Sequence, residues 1–274
     1  MHVLLTNDDG YDSPGLAAIR EALIAIDIAV TVVAPDGNRS ARSHAITCRE
    51  PLALRRHTPA DDPNPIFACS GMPADCVRVS VLGNGLWSTP DVVVSGINIG
   101  INLGDDLNYS GTFHAAVEAA LLGVPAIALS QQPETGGAPF INHSPHEYRN
   151  AGAAALLVAG IGRTTVPERG LLNVNLPYAR TDDRPVVTRP GRRFYKSRVD
   201  AERVDETTWT MLPFATADFP DPLFDDSPET DFGALVRGHI SLTPLRASGA
   251  QEADVLAWAD DLTAAIAGPG LCLP

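Results

Sequence analysis

Lysine is almost missing from this chain: Lys196 is the single one among 20 basic residues. Its scarcity excludes the Gly-Lys-Ser/Thr triplet of a P-loop, so phosphate recognition is left to a metal or to backbone donors. Positive charge is also outnumbered, with 33 acidic residues and a formal net charge of -13, which argues against a protein that binds nucleic acid by neutralising phosphates. No run approaches the roughly eighteen apolar residues of a membrane span, and no basic segment precedes an apolar one at the start. A soluble, cytoplasmic protein is expected. The four cysteines, Cys48, Cys69, Cys76 and Cys272, form no C-x-x-C pair and have no histidine at zinc spacing, so they read as buried free thiols.

At 274 residues with 45% hydrophobic composition, the chain has enough material for a large α/β core. The 23 glycines and 23 prolines imply many sharp connections. Val3 to Thr6 is a short apolar run ending in Asn7-Asp8-Asp9-Gly10. Pro14 then opens a helical pattern with Leu16, Ile19, Leu23 and Ile26 on one face, and Ala29 to Ala34 is a second strand. This βαβ start is followed by a Pro-rich hairpin or irregular excursion over residues 44–70 and a helix over Ala74 to Leu82. Strands are predicted at Val92 to Gly96, Ala126 to Ser130 and Leu171 to Leu176, alternating with helices at Thr112 to Leu122 and Glu147 to Ile161. That alternation predicts a Rossmann-like, doubly wound, mostly parallel sheet over residues 1–177.

From Pro177 the texture changes. Strand-like pieces at Val186 to Thr188, Thr207 to Leu212 and His239 to Thr243 lie between Pro- and Asp-rich loops, and a closing helix is predicted at Glu252 to Ala267. Residues 178–274 are thus expected to form a β-hairpin extension serving oligomer contacts, all within one domain. The acidic stretch Asp218 to Asp231 is expected to be exposed.

In such a sheet, ligands bind beyond the carboxyl ends of the strands. Asp8 and Asp9 follow the first strand, Asn38-Arg39-Ser40 the second, and Ser95 to Asn102 continues the strand from Val92. Carboxylates with serine and asparagine oxygens suit Mg²⁺, Mn²⁺ or Ca²⁺; the alternative is that Asp8 and Asp9 are turn or cap residues, a common use of Asp-Gly. Tyr109-Ser110-Gly111-Thr112 precedes an apolar helix, where free N–H groups and a positive helix end would receive phosphate, or where Ser110 or Thr112 simply caps the helix. Glu118 reads as a solvated or structural residue, and His44 and His114 as structural or surface histidines that adjoin the site loops.

Together, Asn7-Asp8-Asp9-Gly10, Asn38-Arg39-Ser40, Ser95-Gly96-Ile97-Asn98 through Asp106, and Tyr109-Ser110-Gly111-Thr112 resemble the SurE family, the survival protein E nucleotidases. Gly71-Met72-Pro73-Ala74-Asp75-Cys76-Val77, Thr230-Asp231-Phe232 and His239 to Leu245 extend the resemblance over most of the chain. It implies a metal-dependent phosphomonoesterase acting on 5′- and 3′-nucleoside monophosphates, with a swapped C-terminal hairpin in homodimers or homotetramers. It also implies that Asp8, Asp9, Ser40 and Asn98 hold one divalent ion per subunit, Mg²⁺ or Mn²⁺, while Ser110, Gly111, Thr112 and Asn102 bind phosphate. Ala41 stands where the family carries glycine, Met72 where it carries threonine, and Phe113-His114 where it carries small or aliphatic residues. The first is expected to alter the loop and the others to reshape the substrate pocket.

The chemistry expected is in-line attack of water on phosphorus, with Asp9 as base and an aspartyl-phosphate on Asp8 as the rival route. Three other readings compete: a nucleotide-binding or sensor protein that has lost turnover, a phosphatase for a non-nucleotide ester, and a nucleotide-sugar glycosyltransferase, which would favour Asp-x-Asp. A dinucleotide oxidoreductase is disfavoured because no Gly-x-Gly-x-x-Gly follows the first strand.

Overall fold

The first apolar run forms β1 (His2–Thr6) and the second β2 (Ala29–Pro35), joined by α1 (Pro14–Ile24), whose start is fixed by Ser13 as N-cap and Pro14 in the first turn. The Pro-rich stretch forms β3 (Leu54–Arg56) and β4 (Ile66–Cys69) as an antiparallel pair, followed by α2 (Pro73–Leu82). The alternating half continues with β5 (Val92–Ile99), a 3-10 turn at Gly104–Tyr109, α3 (Gly111–Leu121), β6 (Ala126–Gln131), α4 (Ala151–Ile161) and β7 (Gly170–Leu176). Beyond it lie β8 (Val186–Val187), β9 (Arg193–Phe194), β10 (Ala201–Arg203), β11 (Trp209–Met211) and β12 (Leu223–Phe224). The chain then adds α5 (Asp231–Val236), β13 (Ser241–Arg246) and α6 (Ala253–Ala267). This computed structural model describes residues 1–83, 87–134, 148–179, 185–194, 201–211 and 223–267.

Nine strands make one sheet in the order β3-β4-β2-β1-β5-β6-β7-β13-β8. The six from β4 to β7 run parallel, with β3 antiparallel to β4, β13 antiparallel to β7, and β8 parallel to β13. Chain order reverses between β1 and β5, which opens a crevice past the carboxyl ends of those strands. One face of the sheet carries Val3, Leu5 and Val32 under α1, α4 and α6, where Ile19, Leu157 and Trp258 pack. The other carries Leu4, Val33 and Val93 under α2 and α3, where Val77, Ala115, Ala116 and Ala119 allow the helices to approach closely.

The doubly wound sheet, the β10–β11 hairpin and the closing helix agree with the sequence expectation. Several details do not. Ile26 lies beyond the end of α1 and is exposed, because the helix stops before its pattern would have placed that residue inward. Cys69 and Cys76 are buried but Cys48 is exposed, on a loop that packs no element over it. Strand β13 leaves the C-terminal segment to join the main sheet beside β7. Glu147, Leu212, Cys272 and residues 218–222 of the acidic stretch lie outside the described residues.

The acidic stretch also ends differently from expectation: Asp231 is fully buried. Its carboxylate accepts the N–H groups of Gly104 and Gly191 at 2.8 Å and of Phe232 at 2.9 Å, joining the turn after β5 to the C-terminal segment. Burial pushes its pKa up to about 6 although those three donors oppose the shift. Replacing Asp231→Ala strands these donors and should lower unfolding free energy by about 3 to 5 kcal/mol in chemical denaturation. A loss under about 1 kcal/mol would show that water or neighbouring groups satisfy them equally well.

Candidate active site

Asp8 stands two residues beyond β1 and is buried, and its neighbour Asp9 is largely so. The turn that carries them is shaped by Asn7, whose side-chain amide donates to Gly10 O at 2.9 Å and to Ser13 Oγ at 2.6 Å while its oxygen accepts the Gly10 N–H. One buried asparagine thereby closes the aspartate loop onto the cap of α1. This is the mixture of turn and site that an Asn-Asp-Asp-Gly run permits.

Helix α3 ends against Asp8. Thr112 Oγ1 donates to Asp8 Oδ1, and a Cβ at Gly111 would lie 2.7 Å from Asp8 Oδ2, so only glycine admits this approach. The N–H groups of Gly111 and Thr112 favour the ionised Asp8 carboxyl, yet burial dominates and raises its pKa. The expected free N–H groups at this helix start thus already face a carboxylate. Ser110 acts as N-cap, its Oγ accepting the Phe113 N–H at 3.0 Å.

Asp9 is raised to about 7, first by burial and then by the charge of Asp8, against the Ile99 N–H that reaches its Oδ2 at 3.4 Å. None of the leading influences on either carboxyl is a cation. Arg39 is nearby, but its guanidinium turns to Asp36 at 2.7 Å while its backbone N–H donates to Asp8 O at 2.6 Å. That backbone bond ties the loop bearing Ser40 to the aspartate turn. Ser40 itself is exposed, with its N–H held by Asn38 Oδ1 at 2.9 Å.

Asn98 reaches the same strand end because the β5–β6 register shifts between Ser95 and Asn98. Gly96 permits that bulge: its φ is +132° and a Cβ there would sit 2.2 Å from Leu129 O. The Asn98 amide donates to Gly100 O at 3.1 Å. Asn102 follows past the end of β5, its hydrogen bonds running to Ser130 and to the asparagines of β7.

Residues that the sequence reading passed over hold the loop after β2 in place. Ser43 Oγ donates to Asn108 O at 2.7 Å, and the Thr47 N–H donates to both oxygens of Asp75 at 3.0 Å. Glu118 is buried, not solvated: it accepts from His44 Nε2 at 2.8 Å and from Arg78 Nη1 at 2.5 Å. His44 and His114 lie with ring centroids 5.2 Å apart, and His114 Nδ1 donates to Ser110 O at 2.8 Å. Phe113, in the first turn of α3, is buried in the core between that helix and the sheet. Met72 occupies the N-cap position of α2, with no side-chain cap bond, and its N–H donates to Asp75.

A family model described as survival protein SurE matches residues 3–197. The 5′-nucleotidase SurE of Geotalea uraniireducens (strain Rf4) is 43% identical over 249 residues, covering 89% of this chain and 92% of that protein. The 5′-nucleotidase SurE of Xanthomonas axonopodis pv. citri (strain 306) is 39% identical over 275 residues, 98% of this chain and 100% of its own. The crystal structure of the SurE protein from Aquifex aeolicus superposes with a TM-score of 0.66 at 34% identity, covering 90% of this chain and 94% of that one.

The loop that bears Ser40 carries backbone strain. Ala41 has φ +57° and Ser43 +52°, a left-handed conformation that a side chain disfavours by roughly 1 to 2 kcal/mol. Ala41→Gly should therefore raise unfolding free energy by about 1 kcal/mol in denaturant titration. An unchanged or lowered stability would contradict that conformation at position 41.

Proposed function

The chain belongs to the SurE family, and on that footing we propose that it hydrolyses nucleoside 5′-monophosphates, and 3′-monophosphates as well, to nucleoside and phosphate with one divalent ion per subunit, Mg²⁺ or Mn²⁺. The observation that carries this reading is the adjacent Asp8–Asp9 pair, with no cation among the described residues as a leading influence on either carboxyl, set against the first turn of α3. Two adjacent carboxyls raised by burial, Asp9 further by the charge of Asp8, are where a divalent ion gains most, and carboxylate, serine and asparagine oxygens suit such an ion. Asp8 and Asp9 would hold the ion, with Ser40 and Asn98 completing its protein ligands. When bound, the ion supplies charge that polarises a phosphoryl oxygen and makes water at that centre more acidic.

The chain's own groups do the rest by position and field. Ser110, Gly111 and Thr112 in the first turn of α3, whose Gly111 and Thr112 N–H groups already hold Asp8, would bind the phosphate beside that carboxyl, and the Asn102 amide would balance charge on another equatorial oxygen. Asp9 is placed to take a proton at its carboxylate from the attacking water as the phosphorus–ester oxygen bond breaks, the leaving nucleoside oxygen taking its proton from solvent. The rest of the expectation is proposed too: a single domain, with residues 1–177 as core and 178–274 as extension, working in the cytoplasm as a homodimer or homotetramer. Exposed Val204, Trp209 and Met211 on and beside the β10–β11 hairpin support contact between copies. Among the described residues no helix is long and apolar enough to cross a membrane.

Phosphate release from a panel of 5′- and 3′-nucleoside monophosphates, sugar phosphates and an aryl phosphate tests the assignment. Release should require Mg²⁺ or Mn²⁺, vanish with EDTA, and fall by more than about a hundredfold in Asp8→Asn. Release that survives both EDTA and the substitution would overturn the metal site. Preference for a non-nucleotide ester would replace the substrate.

A further inference from the structure

Strand β7 carries two asparagines in an otherwise apolar run, Leu171-Leu172-Asn173-Val174-Asn175-Leu176. Two residues apart, they share one face of the strand, the face that Leu171 shows to be under α3, and both are fully buried. They grip one residue of the proposed site. Asn175 Oδ1 accepts the Asn102 N–H at 2.9 Å while Asn175 Nδ2 donates to Asn102 O at 2.9 Å, and Asn173 Nδ2 donates to the same carbonyl at 2.9 Å. The Asn102 side chain is fixed in turn, its Nδ2 donating to Ser130 Oγ at 2.9 Å. Ser130 is the register partner of Asn98 on one side and of Asn175 on the other.

Asn102 lies beyond the end of β5 and belongs to no strand, so no ladder holds it. A carboxamide offers one acceptor and one donor at the spacing of a peptide's own N–H and C=O, so Asn175 gives Asn102 the pairing that a neighbouring strand would have given. Placing two amides in a buried apolar layer is costly unless each is bonded; Asn175 uses both ends of its amide on Asn102, whereas Asn173 bonds through Nδ2 and its Oδ1 has no hydrogen-bond partner among the described residues. Packing alone would be served by valine or leucine at both positions, as at the rest of this strand.

We propose that Asn175, assisted by Asn173 and Ser130, is a positioning residue that fixes the Asn102 amide where it meets the substrate phosphate. This rests on the reading of Asn102 as a phosphate contact. The β7 pair acts on the reaction only through Asn102, by holding its backbone on one side while Ser130 sets its side chain on the other.

A double-mutant cycle separates positioning from structural support. Asn175→Asp and Ser130→Ala are each combined with Asn102→Ala, and kcat and KM for a nucleoside 5′-monophosphate are measured with the melting temperature. Asn175→Asp keeps the shape but turns an oxygen toward the Asn102 carbonyl; Ser130→Ala removes only the side-chain bond. In the wild-type background each should lower kcat by about tenfold with a smaller change in KM, and in the Asn102→Ala background by less than about twofold. An equal loss in both backgrounds, or no loss in the wild-type background, overturns the proposal. If Asn175→Asp does not fold, Ser130→Ala decides by the same comparison. If Asn102→Ala is itself silent while Asp8→Asn is inactive, the reading of Asn102 as a phosphate contact fails, and the positioning role fails with it, though the nucleotidase stands.

Discussion

Two adjacent carboxyl groups, Asp8 buried and Asp9 half-buried, stand at the end of β1, and among the described residues no cation is a leading influence on either. Burial pushes both toward the protonated form, and the charge of Asp8 adds to the shift at Asp9, a situation that a bound cation would relieve. The protein supplies partial charge from the start of α3 and from the Ile99 N–H, which softens the cost without removing it. The Asn7 turn, the Arg39 backbone bond, the bulge at Gly96 and the close approach of Gly111 each set one wall of the same small volume. None of these contacts is where ordinary packing would place it.

The sheet face under α3 shows the same preference for alignment over burial of apolar area. Toward its carboxyl end, leucine and valine give way to Ser130, Asn173, Asn175, Ser241 and Thr243, all fully buried. Thr188 Oγ1 lies 2.8 Å from both the Ser241 and Thr243 hydroxyls, so the polar layer crosses from β6 to the edge of the sheet. Hydrophobic stabilisation is retained at the other end of the strands and on the opposite face, where Val3, Leu5 and Leu157 are buried. Stability and chemistry thus occupy different ends of the same strands.

Most of the architecture was legible because the signals were local and repeated. Apolar β-branched runs bounded by glycine and proline marked β1, β2 and β5, and Asp8, Asp9, Ser40, Asn98 and Ser110 could be placed at strand or helix ends from their sequence neighbours alone. What could not be read depended on distant partners. Asp231 looks exposed in an acidic run, and only its pairing with Gly104 and Gly191 shows it to be buried. Glu118 reads as solvated or structural, and only His44 and Arg78, arriving from two other segments, decide for the structural role. The β7 asparagines did carry a local signal, since two amides at i and i+2 within a buried strand break its apolar pattern, but their partner Asn102 lies about seventy residues away, at sequence separations of 71 and 73.

The central claim is that the Asp8–Asp9 pair is a divalent-cation site held partly protonated until the ion binds. Calorimetric titration of Mn²⁺ into the metal-free protein, in buffers of different ionisation enthalpy, measures both stoichiometry and proton release. With Asp9 near pKa 7, ion binding at about pH 6 must displace close to one proton per chain or more, and the release should fall toward zero as pH rises through about 8. One ion per chain with that pH-dependent release, lost in Asp9→Asn, is the predicted result. Binding without proton release at about pH 6, or binding unaffected by Asp9→Asn, would contradict the account.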